Sequence, residues 1–247
     1  MEDLVLWKPL YYTSIAMFLV SLILFPFSLT WSIILILALV SLWTRVPGMV
    51  HFIFNQLSLN DFFTFIIAAH VGGLTGGLFG AFTMILGQIF GPETWPPYTI
   101  RSIVAFVIGG LSVPFILNFT GGVNITAFFA FEGVVYTTYY LLVILFWREE
   151  IGLEIAILPV VIFFDFFLNA ILLKSFGVVL EKLVTGGISS GWPFLVFATL
   201  VLGFLILAKN AKKIGGFLES IWNRLSGKRE KNEEENFVEK LDKGESF

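Results

Sequence analysis

The chain has 247 residues, 57% hydrophobic and 13% charged, with a formal net charge of −3 and no cysteine. A globular domain runs about 45–50% apolar and about 25% charged, so this composition excludes a soluble enzyme, a nucleic-acid binder and a disulfide scaffold. Residues 209–247 hold nine of the fifteen Lys/Arg and eight of the eighteen Asp/Glu, which leaves only six basic and ten acidic side chains for the first 208 residues. That inventory predicts an all-α, polytopic transmembrane bundle over 1–208, followed by a polar tail.

Seven apolar stretches approach the length of about 20 residues that a membrane-crossing helix needs: 9–26, 28–44, 61–90, 99–118, 125–147, 155–176 and 192–208. The third is too long for one straight span and is expected to tilt, kink or project. Breaks between stretches carry turn chemistry, as in Pro47-Gly48, Gly91-Pro92, Gly121-Gly122 and Gly186-Gly187. The first stretch lacks a signal-peptide cleavage pattern and is taken as a retained helix. Lys209, Lys212 and Lys213 open the tail, and Lys/Arg mark the cytoplasmic side. Seven spans then put the C-terminus in the cytoplasm and the N-terminus outside, with 91–98 and 148–154 as inner loops and 45–60, 119–124 and 177–191 as outer ones. Residues 209–225 align Ile214, Phe217, Leu218, Ile221, Trp222 and Leu225 on one stripe, the pattern of an interfacial amphipathic helix. Residues 226–247 mix Lys and Glu with little else and are expected to be disordered.

Residues 68–81 read AAHVGGLTGGLFGA. Gly72, Gly76 and Gly80 recur at four-residue spacing, as do Ala69, Gly73 and Gly77, and small-xxx-small spacing lets a neighbouring backbone approach closely. An internal neighbour is expected. Gly187-Ile188-Ser189-Ser190-Gly191 matches a nucleophile-elbow pattern but lacks the strand-to-helix context that chemistry needs. No HExxH, P-loop or clustered His ligands occur, so no metal, cofactor or catalytic residue is expected.

Ionisable groups inside a span are costly and point to function. Here they are His70, Glu132 and Asp165, with Asp61 and Arg101 at segment ends within reach of water. At about 1.5 Å rise per residue, His70, Glu132 and Asp165 fall between the midplane and the outer surface, with Asn169 one turn from Asp165. Tyr136 and Tyr139 add hydroxyls and rings nearby. A pocket of aromatic walls with few convergent polar groups suits a small ligand. The same groups could equally act as interhelical hydrogen-bonding glue.

The feature order in residues 68–176 resembles the substrate-binding S component of energy-coupling-factor vitamin transporters. The similar elements are GGLTGGLFGAFTMILGQ, the connection GPETWPP, the helix RSIVAFVIGGL, and ILPVVIFFDFFLNAIL with Pro159, Asp165 and Asn169. The resemblance implies a six-helix core plus one N-terminal helix, a vitamin-like ligand bound near the outer side, loop 45–60 as gate, and a membrane scaffold subunit with two ATPases as partners. Such a subunit is not an enzyme. A rod-shape-determining membrane subunit is similar on the same grounds, which makes a scaffold or assembly role the alternative. A sensor reporting through the tail and an ion- or proton-coupled carrier complete the set.

Overall fold

The computed structural model describes residues 7–45, 58–90, 96–185, 199 and 203. The compact unit Met1–Val201 contains all but the last of these. Among the described residues the chain is entirely helical: α1 (Trp7–Leu24), α2 (Leu29–Thr44), α3 (Asn60–His70), α4 (Gly73–Phe90), α5 (Pro96–Thr120), α6 (Ile125–Phe146), α7 (Ile151–Val161) and α8 (Asn169–Val184). A 3-10 turn, Arg148–Glu150, leads into α7, and a π-helical stretch, Ile162–Leu168, joins α7 to α8. The expected amphipathic helix, charged tail and Ser189 motif lie outside the described residues, as does nearly all of the 192–208 stretch.

Two helices, Pro97–Thr120 and Ile125–Phe146, are long and apolar enough to cross a membrane. Shorter apolar helices cover Pro9–Leu24, Leu29–Thr44 and Gly73–Ile89. Large apolar side chains stand on the outside of the bundle, among them Ile23 at 65% exposure, Phe115 at 68% and Phe163 at 61%. Polar residues face inward instead. Ser21 Oγ donates to Ser32 O at 2.9 Å and Ser32 Oγ to Ser21 O at 2.6 Å, which ties α1 to α2. Trp43 Nε1 donates to Ser14 Oγ at 2.9 Å and closes the other end of the same pair.

The long apolar run over 61–90 is two helices. Val71 and Gly72 turn the chain back, and Gly72 has φ +142°, a conformation that a residue with a Cβ rarely adopts. The four-residue glycine spacing therefore does not form one continuous stripe: Ala69 and His70 end α3, Gly72 sits in the turn, and Gly73 opens α4. The glycines of α4 serve two neighbours in the same chain. A Cβ on Gly80 would stand 2.7 Å from Thr64 Oγ1, and one on Gly76 would collide with the backbone of Ala68, both on α3. On the adjoining face, a Cβ on Gly73 would stand 2.6 Å from Gly110 O, and one on Gly77 3.0 Å from Val107 Cα, both on α5. Asn60 fastens the open end of the hairpin by donating to Gly80 O at 3.4 Å and accepting from Thr83 Oγ1 and Ser41 Oγ.

This reversal changes the sidedness expected from the sequence. Asn60 and Thr83 pair at one end of the bundle, where Thr99 Oγ1 also donates to Gln88 Oε1 at 2.6 Å. The end of α2, the start of α3, the end of α4, the start of α5 and residues 147–150 therefore share that end, called here the first end; the expected gate over 45–60 lies mostly outside the described residues. The α1–α2 turn, the 121–124 turn and the C-terminus of α8 share the second end, where Thr30 Oγ1 donates to Val184 O at 3.0 Å. Asn124 caps α6 there by accepting from Ala127 N at 2.8 Å.

The α4–α5 contact gives a direct test. Gly110→Ala places a methyl against the backbone of Gly77 and is expected to cost about 1–3 kcal/mol, read as a lower unfolding temperature of the purified chain. Gly133→Ala on α6, where a Cβ meets nothing within 4 Å, is expected to be neutral or to stabilise by up to about 1 kcal/mol.

Candidate functional site

Where Pro159 enters the α7 helix it removes the N–H that would bond the carbonyl one turn back. The following turn widens into the π stretch IFFDFFL, a local geometry frequent at functional sites. Asp165 lies within it at 2% exposure, directed at α6, and Tyr136 donates its hydroxyl to the Asp165 carboxylate. Tyr136 also stacks on Phe166 at 5.9 Å and on Tyr140 at 6.3 Å between ring centroids. Its hydroxyl is thereby held on one side of a layer of rings.

Around this pair is a cavity of about 60 Å³. Its polar lining comes from several elements: Arg45 after α2, Asp61 on α3, Ser102 on α5, Tyr139 on α6, Glu154 on α7 and Asp165 in the π stretch. Arg45 Nε donates to Ser58 Oγ at 3.1 Å, and its charge acts on both Asp61 and Asp165. Glu132 is fully buried within electrostatic reach of Asp61 and Asp165. Both Glu132 carboxylate oxygens, Asp165 Oδ1 and both amide atoms of Asn169 are buried without a hydrogen-bond partner in the protein. Buried polar atoms are normally satisfied, so this concentration of unmatched acceptors and donors is chemically informative. Such a lining can hold a cation, or exchange protons among carboxylates and a phenol. Among the described residues no group of three or more His, Asp or Glu has the geometry to hold a metal ion.

Toward the first end, the cavity meets a second polar cluster centred on Arg101, which is 1% exposed. Its Nη2 lies 2.8 Å from Glu150 Oε2 and 3.5 Å from Glu154 Oε1. The guanidinium carbon lies 5.0 Å from the Tyr139 ring centroid and 5.2 Å from that of Trp147, a cation–π setting. Tyr139 completes the ring of contacts by donating to Glu154 Oε1 at 2.7 Å and meeting Tyr98 edge-on at 5.7 Å.

The residues expected from the sequence to share a site do so unequally. Tyr136, Tyr139 and Asp165 line the cavity. Glu132 and Asn169 are buried beside Asp165 in sequence or electrostatic reach but are not part of that lining. His70 stands apart at the tip of the α3–α4 hairpin, half-buried, and the charge that acts on it is Glu181 of α8. Sequence reasoning passed over Arg45, Asp61, Arg101 and Glu154. All four sit at or near helix ends, where water contact is the ordinary assumption. The bundle instead closes over them, leaving them at 3%, 8%, 1% and 8% exposure. The i, i+4 step from Glu150 to Glu154, on the segment facing Arg101, is the one sequence signal for that cluster.

In comparisons with known proteins, no family model, no curated protein and no solved structure matches the chain.

Removing one member of a buried ion cluster leaves the others uncompensated. Arg101→Leu is expected to destabilise the chain by about 3–5 kcal/mol, whereas Glu150→Gln, whose side chain is 20% exposed, costs less. Unfolding temperatures of the two variants measure the difference.

Proposed function

We propose that the chain is a multi-span membrane protein that binds a small solute inside its bundle, as the substrate-binding part of a transport system. The carrying observation is the convergence of Arg45, Asp61, Tyr136, Tyr139, Glu154 and Asp165, contributed by separate helices, on one buried cavity. The unpartnered carboxylate oxygen of Asp165 in that lining favours a ligand over contacts that only hold helices together. The apolar exterior and the two long apolar helices support a bilayer as the surroundings.

Lys8, Arg45, Arg101 and Arg148 belong to the first end, against Lys174 and Lys182 on α8, which runs to the second. By the bias of Lys/Arg toward the cytoplasm, the first end faces inward, the N-terminus is cytoplasmic and the cavity occupies the inner half. This reading departs from the outward site and external N-terminus expected from the sequence. In the S-component reading, the chain would work with a membrane scaffold subunit and two ATPases. A second reading, a proton- or ion-coupled carrier, draws on the unmatched carboxylate of Glu132 beside Asp61 and Asp165.

Two experiments test these proposals. Native mass spectrometry of the purified full chain is expected to show a retained small molecule, and Asp165→Asn or Asp61→Asn is expected to weaken retention about ten- to a hundredfold, the value of a charge-assisted hydrogen bond. Unchanged retention in both variants would remove the solute-binding reading. For orientation, the natural absence of cysteine permits single-cysteine labelling. Glu149→Cys is expected to react only from the cytoplasmic side and Val123→Cys only from outside, and the reverse pattern would invert the topology.

A further inference from the structure

The solute-binding reading leaves a problem of size. The cavity is about 60 Å³, and a water occupies about 10–15 Å³ on that measure, so the space takes about four waters or one small polar head. A vitamin-sized molecule does not fit. Any larger ligand must extend beyond the cavity walls.

One wall borders a much larger volume. A groove of about 480 Å³ runs along the outer face between α6 and the α7–π segment, and Tyr136, Tyr140 and Val161 line both it and the cavity. The rest of the groove is nearly all apolar, with Leu141, Ile144 and Phe166 among its lining. Leu141 is 53% exposed and Ile144 48%, so the groove is open to the surroundings of the bundle. Gly133 contributes to its wall, and a Cβ there would meet nothing within 4 Å. Behind the tyrosines, Asp61 and Asp165 line the cavity against the guanidinium of Arg45, while Glu154 is already paired with Arg101 and Tyr139. Asp165 Oδ1 has no hydrogen-bond partner in the protein. Carboxylates with spare lone pairs match a group that only donates, and a primary ammonium offers three donors.

We infer that groove and cavity form one site for a single-chain cationic amphiphile, its alkyl chain in the α6–α7 groove and its ammonium beside Asp165, admitted sideways past Tyr136 and Tyr140. This rests on the solute-binding reading and names the class of solute. The chain supplies apolar contact where the groove is apolar, and the head supplies charge where the cavity lacks it. An alkyl chain without the charge satisfies only the first half, and a short amine only the second.

The test uses the full-length chain in detergent, with saturation followed by native mass spectrometry. The probes are dodecylamine, dodecanol and ethylamine. Gly133→Trp and, as a second filling variant at the exposed rim, Leu141→Trp block the groove, and thermal unfolding checks that each is folded. One dodecylamine per chain is expected, with dodecanol at least tenfold weaker. Asp165→Asn and either filling variant are each expected to weaken dodecylamine at least tenfold, while filling leaves ethylamine unchanged. Equal binding of dodecanol and dodecylamine would mean ordinary lipid-like association with the outer face and would overturn the inference. Unchanged dodecylamine binding in a folded filling variant would also overturn it. If ethylamine binds, depends on Asp165 and ignores the groove, the inference fails while the cavity remains a solute site. If neither amine binds and Asp165→Asn changes nothing, both readings fail together.

Discussion

Helix α4 lacks side chains along two of its faces, and that lets it lie at backbone distance from α3 on one side and α5 on the other. In an apolar medium no water-exclusion force draws helices together, so close van der Waals contact must supply the cohesion. Gly76 and Gly80 take up α3, and Gly73 and Gly77 take up α5. The register this sets brings Asp61, at the start of α3, to the level of Ser102 on α5. From there α6 and α7 close the remaining sides with Tyr139 and Glu154. A bulkier α4 would push α3 outward and separate Asp61 from Arg45 and Asp165.

Two polar clusters share that frame and differ in how they are matched. Around Arg101, Nη2 faces two carboxylates and the guanidinium lies against two aromatic faces, while Nε and Nη1 are buried without a hydrogen-bond partner. Burying such a group is expensive, and the two carboxylates offset part of that cost. Around Asp165 the matching is incomplete, since only one carboxylate oxygen receives the Tyr136 hydroxyl and Glu132 receives nothing from the protein. The first cluster is held by ion pairs between α5 and the 148–154 segment, and the second leaves carboxylate oxygens without a partner beside a cavity. Glu154 belongs to both.

Much of this was legible in the sequence. The apolar stretches locate α1, α2, α5 and α6 to within a few residues, because length and hydropathy decide them. The rarity of polar groups in such stretches singled out Tyr136, Tyr139 and Asp165, which line one cavity. The hairpin was not legible: a continuous apolar run over 61–90 gives the same hydropathy whether it passes straight through or turns at Gly72, and only the backbone angle there distinguishes them. Because the turn reverses direction, the missed glycine reversed the expected side of the earlier helix ends, those of α1, α2 and the start of α3, relative to the later ones. Arg45, Asp61, Arg101 and Glu154 were hidden for a related reason. Position at a helix end predicts water contact only when the end reaches the surface, and here neighbouring helices extend past it.

The shortness of α3 has a consequence for how the protein is made. Eleven residues rise about 16 Å, roughly half the thickness of the hydrocarbon layer, and the segment carries Asn60, Asp61 and Thr64 among its buried side chains. In the proposed membrane setting, such a segment gains too little from lipid to be retained alone as it leaves the translocation machinery. It would enter folded against α4, as a paired unit whose polar groups face each other. The order of synthesis fits this, since α4 emerges directly behind α3 with two residues between them.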